Sequence, residues 1–146
     1  MPAAGSGGYV RIAVVGDART AAELMDMGRA VQLEAHRLLL AYGAILQREV
    51  KARASGPPGP AEITGDYVAS IRRRSYRTLA RGRKGGGSRV EVGTDSVQGW
   101  RLEMGFHGVD ALDRHFHQEA RPHFGPAFDA VKPQLESAFE AMVNLL

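Results

Sequence analysis

Hydrophobic and polar positions from about residue 20 to residue 54 repeat with the period of an α-helix. Charged residues flank an apolar stripe whose members stand three or four positions apart, the spacing at which side chains share one helix face. The members of this stripe are Val31, Ala35, Leu38, Tyr42 and Ile45. A stripe of this kind normally packs against a protein core. The pattern predicts one long core-facing helix, with a bend or a break at Gly28 or Gly43.

The end of the chain has a second helical stripe, which predicts a terminal helix over residues 126–146. The members of this stripe are Phe128, Val131, Leu135, Phe139 and Met142. Pro126 suits the first helical turn, where its missing N–H costs little, and Pro133 predicts a kink. We expect Phe124 and Phe128 to flank the start of this helix and to hold it against the core.

Shorter patterns between the two helices predict an antiparallel sheet. Residues 9–15 are rich in β-branched and aromatic side chains and end at a Gly-Asp pair, which is typical of a strand. Residues 71–80 and 88–94 have the same character. We expect them to form a β-hairpin with a flexible basic tip at residues 81–88.

The remaining segments predict loops and short helices. Residues 55–63 contain several prolines and glycines and must form a loop. Residues 64–71 favour a short helix or turn, and residues 95–106 favour a short helix over a strand. Residues 107–121 are predicted to be a polar loop.

The order of these elements predicts an α+β fold, in which one long helix and a C-terminal helix pack a small antiparallel β-sheet. A chain of 146 residues suits one modest hydrophobic core. We therefore expect a single domain over residues 9–146. Residues 1–8 are rich in glycine and alanine and are expected to be a disordered tail.

The charge of the chain is unevenly distributed, although its net value is only +3. Residues 1–90 carry 15 basic and 7 acidic side chains, whereas residues 91–146 carry 4 and 9. This asymmetry suits nucleic-acid binding through the basic half. It equally suits identical subunits that meet head to tail, each basic surface facing an acidic one.

Several classes of protein are excluded or disfavoured by composition. The chain has no cysteine, which excludes a disulfide framework and a cysteine-ligated zinc site. No apolar run approaches the roughly 20 residues that span a bilayer, and the N-terminus lacks the features of a signal peptide. We expect a protein that is made in the cytosol and does not associate with a membrane.

Four histidines are the first candidate for chemistry, because they lie within 17 residues of one another. They are His107, His115, His117 and His123. In a strand, His115 and His117 would share one face and form a workable metal pair. No further ligand stands at a diagnostic spacing, so we predict no metal site and place His123 at the rim of the core. A His/carboxylate metal-dependent enzyme remains an alternative.

Other catalytic and cofactor motifs are missing from the sequence. There is no nucleophile elbow and no Ser-x-x-Lys pair, and Ser70 and Ser75 stand beside arginines with no evident base. The segment GRKGGGS lacks the spacing of a phosphate-binding loop, and no helix is predicted after it. We predict no enzymatic activity and no cofactor.

Eight basic residues and no acidic ones lie between residues 72 and 89. They are Arg72, Arg73, Arg74, Arg77, Arg81, Arg83, Lys84 and Arg89. Such a run can neutralise phosphates, although Tyr76 is the only aromatic residue among them on which a base could stack. We treat the run as a candidate surface for DNA or for a protein partner. A small basic nucleic-acid-binding protein is a second alternative function.

Three short motifs occur in an order that resembles the siphophage minor tail or tail-completion proteins of the head–tail junction. They are ITGDYVASI, VEVGTDSVQGWRLEMGF and RPHFGPAFDAV. The residues that match the family motifs are Thr64, Gly65, Ser70, Ile71, Glu103, Gly105, Pro122, Phe124, Pro126 and Ala127. In the third motif, His123 is inserted between the proline and the phenylalanine. Three further features depart from the family pattern: Tyr67 replaces a usual leucine, Gln98-Gly99 replaces a Tyr-Ala pair, and the motifs do not explain residues 107–121.

The resemblance implies a structural virion protein without enzymatic activity. Such a protein forms an oligomeric ring, expected to be a hexamer, that joins the head or neck of a tailed phage to its tail tube. Its partners would be copies of itself, neck or connector proteins and tail-tube proteins, with non-specific contact to DNA in the channel. It would assemble in the host cytoplasm and remain in the virion.

Overall fold

A computed structural model of the chain describes residues 11–15, 29–57, 59–60, 65–78 and 87–145. Several predictions fall outside these ranges. They are the tail at residues 1–8, the helix before residue 29 with its bend at Gly28, and the matched motif residue Thr64. The hairpin tip with Arg81, Arg83 and Lys84 also lies outside the described residues.

The long helix, α1, spans Arg29–Arg53 and runs through Gly43 without a break. Gly43 has a packing role, because a Cβ atom at this position would lie 2.4 Å from Cγ1 of Val90 in the sheet. The buried residues of the helix and its end are Val31, Ala35, Leu39, Leu46, Val50 and Ala54. Leu38, predicted as a core position, is only half-buried, since the helix turns Gly43 and Leu39 toward the core instead.

The main sheet contains β1 (Arg11–Val15), β2 (Arg72–Thr78) and β3 (Gly87–Gly93) in the order β1-β3-β2. Both pairings are antiparallel, which confirms the predicted hairpin of β2 and β3. Val90 and Val92 on the central strand are fully buried beneath α1. β2 is an edge strand, and the side chains of residues 72–77 are exposed.

Two short helices lie where the sequence predicts them. Helix α2 spans Asp66–Ser70 and follows Gly65, whose φ of 76° is the left-handed conformation that glycine adopts readily. Helix α3 spans Val97–Met104, and the side chain of Ser96 caps it by accepting a hydrogen bond from the backbone N–H of Gln98.

The prediction of a polar loop at residues 107–121 is wrong. Strands β4 (Phe106–Val109) and β5 (His115–Gln118) form a second, two-stranded antiparallel sheet. Asp110 holds their turn, because its Oδ1 accepts from the backbone N–H groups of Leu112 and Arg114. The polar composition hid this hairpin, since the turn is held by local hydrogen bonds and not by a buried apolar face.

The C-terminal helix, α4, spans Phe124–Asn144 and therefore begins two residues before the predicted start. It packs on α1, where Phe139 and Met142 contact the buried Val31 and Ala35. Phe124 and Ile71 are fully buried in the main cluster together with residues of α1 and β3. The α+β prediction is thus confirmed, with α1 on the sheet and α4 against α1.

No helix within the described ranges is long and apolar enough to cross a membrane.

The burial of Phe124 generates the first prediction. The side chain is 0% exposed, and Phe124→Ala should lower the free energy of unfolding by about 3–5 kcal/mol, because it opens a cavity in the core. Chemical denaturation followed by circular dichroism measures this loss. Phe116→Ala is the matched control, since Phe116 is 46% exposed. A loss of less than about 0.5 kcal/mol for Phe124→Ala would contradict the packing role.

Candidate assembly surface

The carboxylate of Glu103, at the end of α3, caps the N-terminus of α4. Its Oε2 accepts hydrogen bonds from the backbone N–H groups of His123, at 2.8 Å, and Phe124, at 3.0 Å. Its Oε1 accepts from the N–H of Gly125 at 2.8 Å. A helix N-terminus has unpaired N–H groups and a partial positive charge, so a carboxylate there is favourable on both counts.

The rest of this first turn leaves no donor without a partner. Pro126 has no N–H, and the N–H of Ala127 donates to the carbonyl of His123 at 3.3 Å. Pro126 therefore stands at the third helical position, where a proline removes a donor that would otherwise need an acceptor. This accounts for the motif residues Glu103 and Pro126 as two parts of one cap.

His123 is 0% exposed, so its predicted place at the rim of the core is wrong. Its Nδ1 lies 3.0 Å from the carbonyl oxygen of Arg121, and its Nε2 lies 2.6 Å from the hydroxyl oxygen of Tyr67. A carbonyl can only accept, so Nδ1 carries a proton, and in the neutral ring Nε2 accepts from Tyr67. The insertion of His123 between proline and phenylalanine thus places a satisfied polar ring in the interior.

Tyr67 is the hydrogen-bond partner of this histidine. Burial raises the pKa of the Tyr67 hydroxyl well above its usual range, and the nearby Glu103 carboxylate raises it further. The hydroxyl is therefore a neutral donor throughout the physiological range. Tyr67 and His123 therefore form one hydrogen bond in the interior.

The contacts among Tyr67, His123 and Glu103 join α3 to the start of α4 and are called the junction below. Gly99 makes room for this junction. A Cβ atom at this position would lie 2.4 Å from Cγ2 of Thr94 and 3.3 Å from the hydroxyl oxygen of Tyr67. The Ser70 hydroxyl lies 2.6 Å from Oγ1 of Thr94 and donates to the carbonyl of Tyr67. Ser70 therefore links α2 to the segment before α3 and has no contact with a catalytic base.

The other matched motif residues also have structural positions. Gly65 precedes α2, and Ile71 and Ala127 are buried in the core. Gly105 has a φ of 78° and lies beneath β5, where a Cβ atom would be 3.0 Å from the carbonyl oxygen of Gln118. Pro122 is exposed just before the cap. Of the described motif residues, Glu103 binds the start of α4, and Ile71, Phe124 and Ala127 share the main core cluster.

The described arginines of the basic run do not form one surface, because the pleat of β2 separates them. Arg73 lies on the α1 side, where it donates to the carbonyl of Leu40 at 3.1 Å, and Arg77 shares that parity. Arg72 and Arg74 lie on the opposite face with Arg89 of β3.

Two of the arginines on that opposite face are already paired. Arg74 contacts Asp95 at 2.9 Å, and Arg89 contacts Glu91 at 3.2 Å. The guanidinium of Arg89 also lies 4.7 Å from the centroid of the Tyr76 ring. The sheet therefore presents a mixed surface of positive and negative groups, not a continuous basic stripe.

Two groups of exposed apolar side chains lie on α3 and on the β4–β5 hairpin. The α3 surface consists of Val97, Trp100 and Met104, which share one helix face and are each about half-exposed or more. The hairpin surface consists of Leu112 in the turn and Phe116 on β5, and Leu112 is 73% exposed. The exposed Val109 pairs with His115 and therefore lies on the other face of the hairpin. Clusters of exposed apolar side chains commonly mark protein interfaces.

The base of the β4–β5 hairpin is firmly attached to the domain. The N–H of Arg121 donates to the carbonyl of Leu102 at 2.6 Å, and the guanidinium of Arg101 lies 4.3 Å from the centroid of the Phe106 ring. Beyond this base, the strands pair with each other. A two-stranded hairpin alone is only marginally stable in water, so one that projects from a domain is suited to being covered by a partner.

The cap of α4 generates a prediction for Glu103. Glu103→Ala should lower the free energy of unfolding by about 1–3 kcal/mol, because three backbone N–H groups lose their acceptor. Glu103→Gln keeps an acceptor but loses the negative charge, so its loss should be smaller. Glu140→Gln, at an exposed site on α4, is the matched control and should stay within about 0.5 kcal/mol of the wild type. Equal stabilities for Glu103→Ala and Glu140→Gln would contradict the capping role.

The raised pKa of Tyr67 generates a prediction for alkaline solutions. An unfolded tyrosine ionises near pH 10, at about its ordinary pKa, whereas folded Tyr67 keeps its proton there. The folded state then binds one more proton than the unfolded state, so stability falls as the pH rises above about 10. Urea titrations from neutral to alkaline pH should show a shallower fall for Tyr67→Phe than for the wild type. Tyr76→Phe is the control for removing an exposed hydroxyl, and parallel falls in all three proteins would overturn the assignment.

Within the described ranges, no three histidine or carboxylate side chains already converge on a point where a metal ion would sit. Comparison of the chain with protein-family models, curated proteins and solved structures found no match.

Proposed function

We propose that this chain is a structural protein of a tailed-phage virion, a tail-completion or minor tail component that forms an oligomeric ring between head or neck and tail tube. The observation that carries the proposal is the pair of exposed apolar surfaces on α3 and the hairpin. The hydrogen bonds of the motif residue Glu103 hold both elements in place against α4. Proteins that act by assembly need such surfaces.

The junction supports this role because it fixes where the apolar surfaces point. Glu103 joins the end of α3 to the start of α4 through three short hydrogen bonds. The hairpin leaves and re-enters the domain between these two helices. A contact surface that is held rigidly loses little conformational entropy on binding, which favours association.

Unpaired charges support head-to-tail contact between copies. Arg72 and Arg77 on β2 have no acidic partner among the described residues, and the exposed Asp113 and Glu119 near the hairpin have no cationic one. A heterologous contact brings two different surfaces of the same chain together and closes a ring when the rotation allows. Opposite charges on the two surfaces favour this arrangement over contact between like surfaces.

The proposed ring joins a neck or connector protein on one side and the tail tube on the other. We expect six copies, as in the family that the motifs resemble, with only non-specific contact to DNA in the channel. The paired state of Arg74 and Arg89 favours this assembly role over a dedicated nucleic-acid-binding role, because two of the described cations already have acidic partners.

The proposal predicts that the hairpin surface is needed for assembly but not for folding. The purified wild-type chain, alone or mixed with a tail-tube protein, should form symmetric particles visible by light scattering and electron microscopy. The double variant Leu112→Ser/Phe116→Ser should remain folded by circular dichroism but fail to assemble. Val143→Ser, at an exposed apolar site of α4, is the matched control and should assemble normally.

Two results would contradict the proposal. One is a wild-type chain that stays monomeric at high concentration and does not bind neck or tail-tube proteins, with tailed infectious particles still formed when its gene is deleted. The other is salt-sensitive binding to duplex DNA that is lost in the triple variant Arg72→Ala/Arg73→Ala/Arg74→Ala while the hairpin variant behaves as wild type. This second result would favour the nucleic-acid-binding alternative.

A further inference from the structure

We propose that the histidine face of the β4–β5 hairpin binds one divalent transition-metal ion, with His107 and His117 as the principal ligands. Metal binding at this face does not depend on the proposed assembly function, because it requires only the geometry of the hairpin. It gives a role to the exposed histidines that the structural junction does not use.

The register of the hairpin places three imidazoles on one face. His107 on β4 is directly opposite His117 on β5, and His115 stands two residues before His117 on the same strand. Residues that pair across an antiparallel ladder share a face, as do residues two apart on one strand. The polar loop predicted for this segment would not have brought His107 to the other two.

The geometry of the principal pair is close to that of a chelate. The Nδ1 atoms of His107 and His117 are 2.8 Å apart, and the ring centroids are 4.2 Å apart with an angle of 57° between the planes. Two nitrogens bound to one tetrahedral Zn²⁺ at about 2.0–2.1 Å lie roughly 3.3 Å from each other. A small opening of the pair therefore makes room for an ion between the two nitrogens.

The chemistry of the pair also suits a metal. A neutral imidazole with its proton on Nε2 presents the Nδ1 lone pair, so both rings can direct a lone pair at the same point once an ion replaces their mutual contact. Imidazole is a preferred ligand of Zn²⁺, Cu²⁺ and Ni²⁺. Both side chains are exposed, so little burial opposes entry of the ion.

His115 is the proposed third ligand. Its side chain is exposed on the same face, but it does not complete a group of three ligands with the pair in the conformation described. Exposed side chains change rotamer within nanoseconds, so His115 can turn toward an ion held by the other two. Water would complete the coordination.

A bound ion would also strengthen the hairpin, because it links β4 to β5 beyond their backbone hydrogen bonds. Any ligand that binds the folded state and not the unfolded one stabilises the folded state by mass action. This stabilisation would act on the β4–β5 hairpin, whose strands pair mainly with each other.

Titration of ZnCl₂ into the metal-free, tag-free full chain, followed by calorimetry, tests the proposal. We expect one ion per chain. His107→Ala and His117→Ala should each weaken binding by about tenfold or more, since even a group that only orients a metal ligand is worth about that much. His36→Ala is the matched control, because His36 lies on α1 and hydrogen-bonds to Ser88. It should bind Zn²⁺ as the wild type does.

Nitrogen-15 NMR of the histidine rings gives a second measurement that does not depend on binding heat. Addition of Zn²⁺ should shift the Nδ1 signals of His107 and His117 and leave those of His36 and His123 unchanged. Circular dichroism verifies that the variants fold, which their exposed positions favour. Absence of binding, unchanged affinity in His107→Ala, or equal loss in His36→Ala would overturn the site. Unchanged affinity in His115→Ala would overturn its role as the third ligand.

Discussion

The hydrogen bonds from the first turn of α4 to the carboxylate of Glu103 are the constraint on which the C-terminal half of the protein depends. A helix that starts inside a protein must satisfy its first N–H groups without help from bulk water. Glu103 satisfies three of them, and Pro126 removes a fourth donor. Because Glu103 lies on α3, the hydrogen bonds that cap α4 also fix the position of α3 and of the hairpin between the two helices.

The same junction carries polar groups into the interior without leaving any unsatisfied. Among the described residues, no buried side-chain nitrogen or oxygen lacks a hydrogen-bond partner. His123 meets this condition through Tyr67 on one side and the carbonyl of Arg121 on the other. A fully satisfied polar network of this kind permits one arrangement of its members, because any displacement leaves a buried group unpaired. The junction therefore contributes a unique geometry as much as stability.

Rigidity at the junction contrasts with the exposed character of what it supports. The α3 surface and the hairpin surface present apolar side chains to solvent. His107, His115 and His117 lie on the face of the hairpin opposite Phe116. A hairpin that buries little surface gains little stability from these exposed side chains. Contacts with other molecules or ions would give these side chains a role. Both the proposed ring and the proposed metal site place such contacts on the hairpin.

The sequence by itself determined the α+β class, the long helix, the β2–β3 hairpin and the apolar stripe of α4, because each depends on a local period of two or of 3.6 residues. It also predicted burial of Phe124. Only the tertiary structure decided that His123 is interior, that Glu103 caps α4 from 20 residues away, and that β2 divides its arginines between two faces. The β4–β5 hairpin was also decided by the tertiary structure, because its strands do not alternate between buried apolar and exposed polar residues. Such features depend on which distant groups meet, and a polar side chain looks the same in sequence whether water or a buried partner satisfies it.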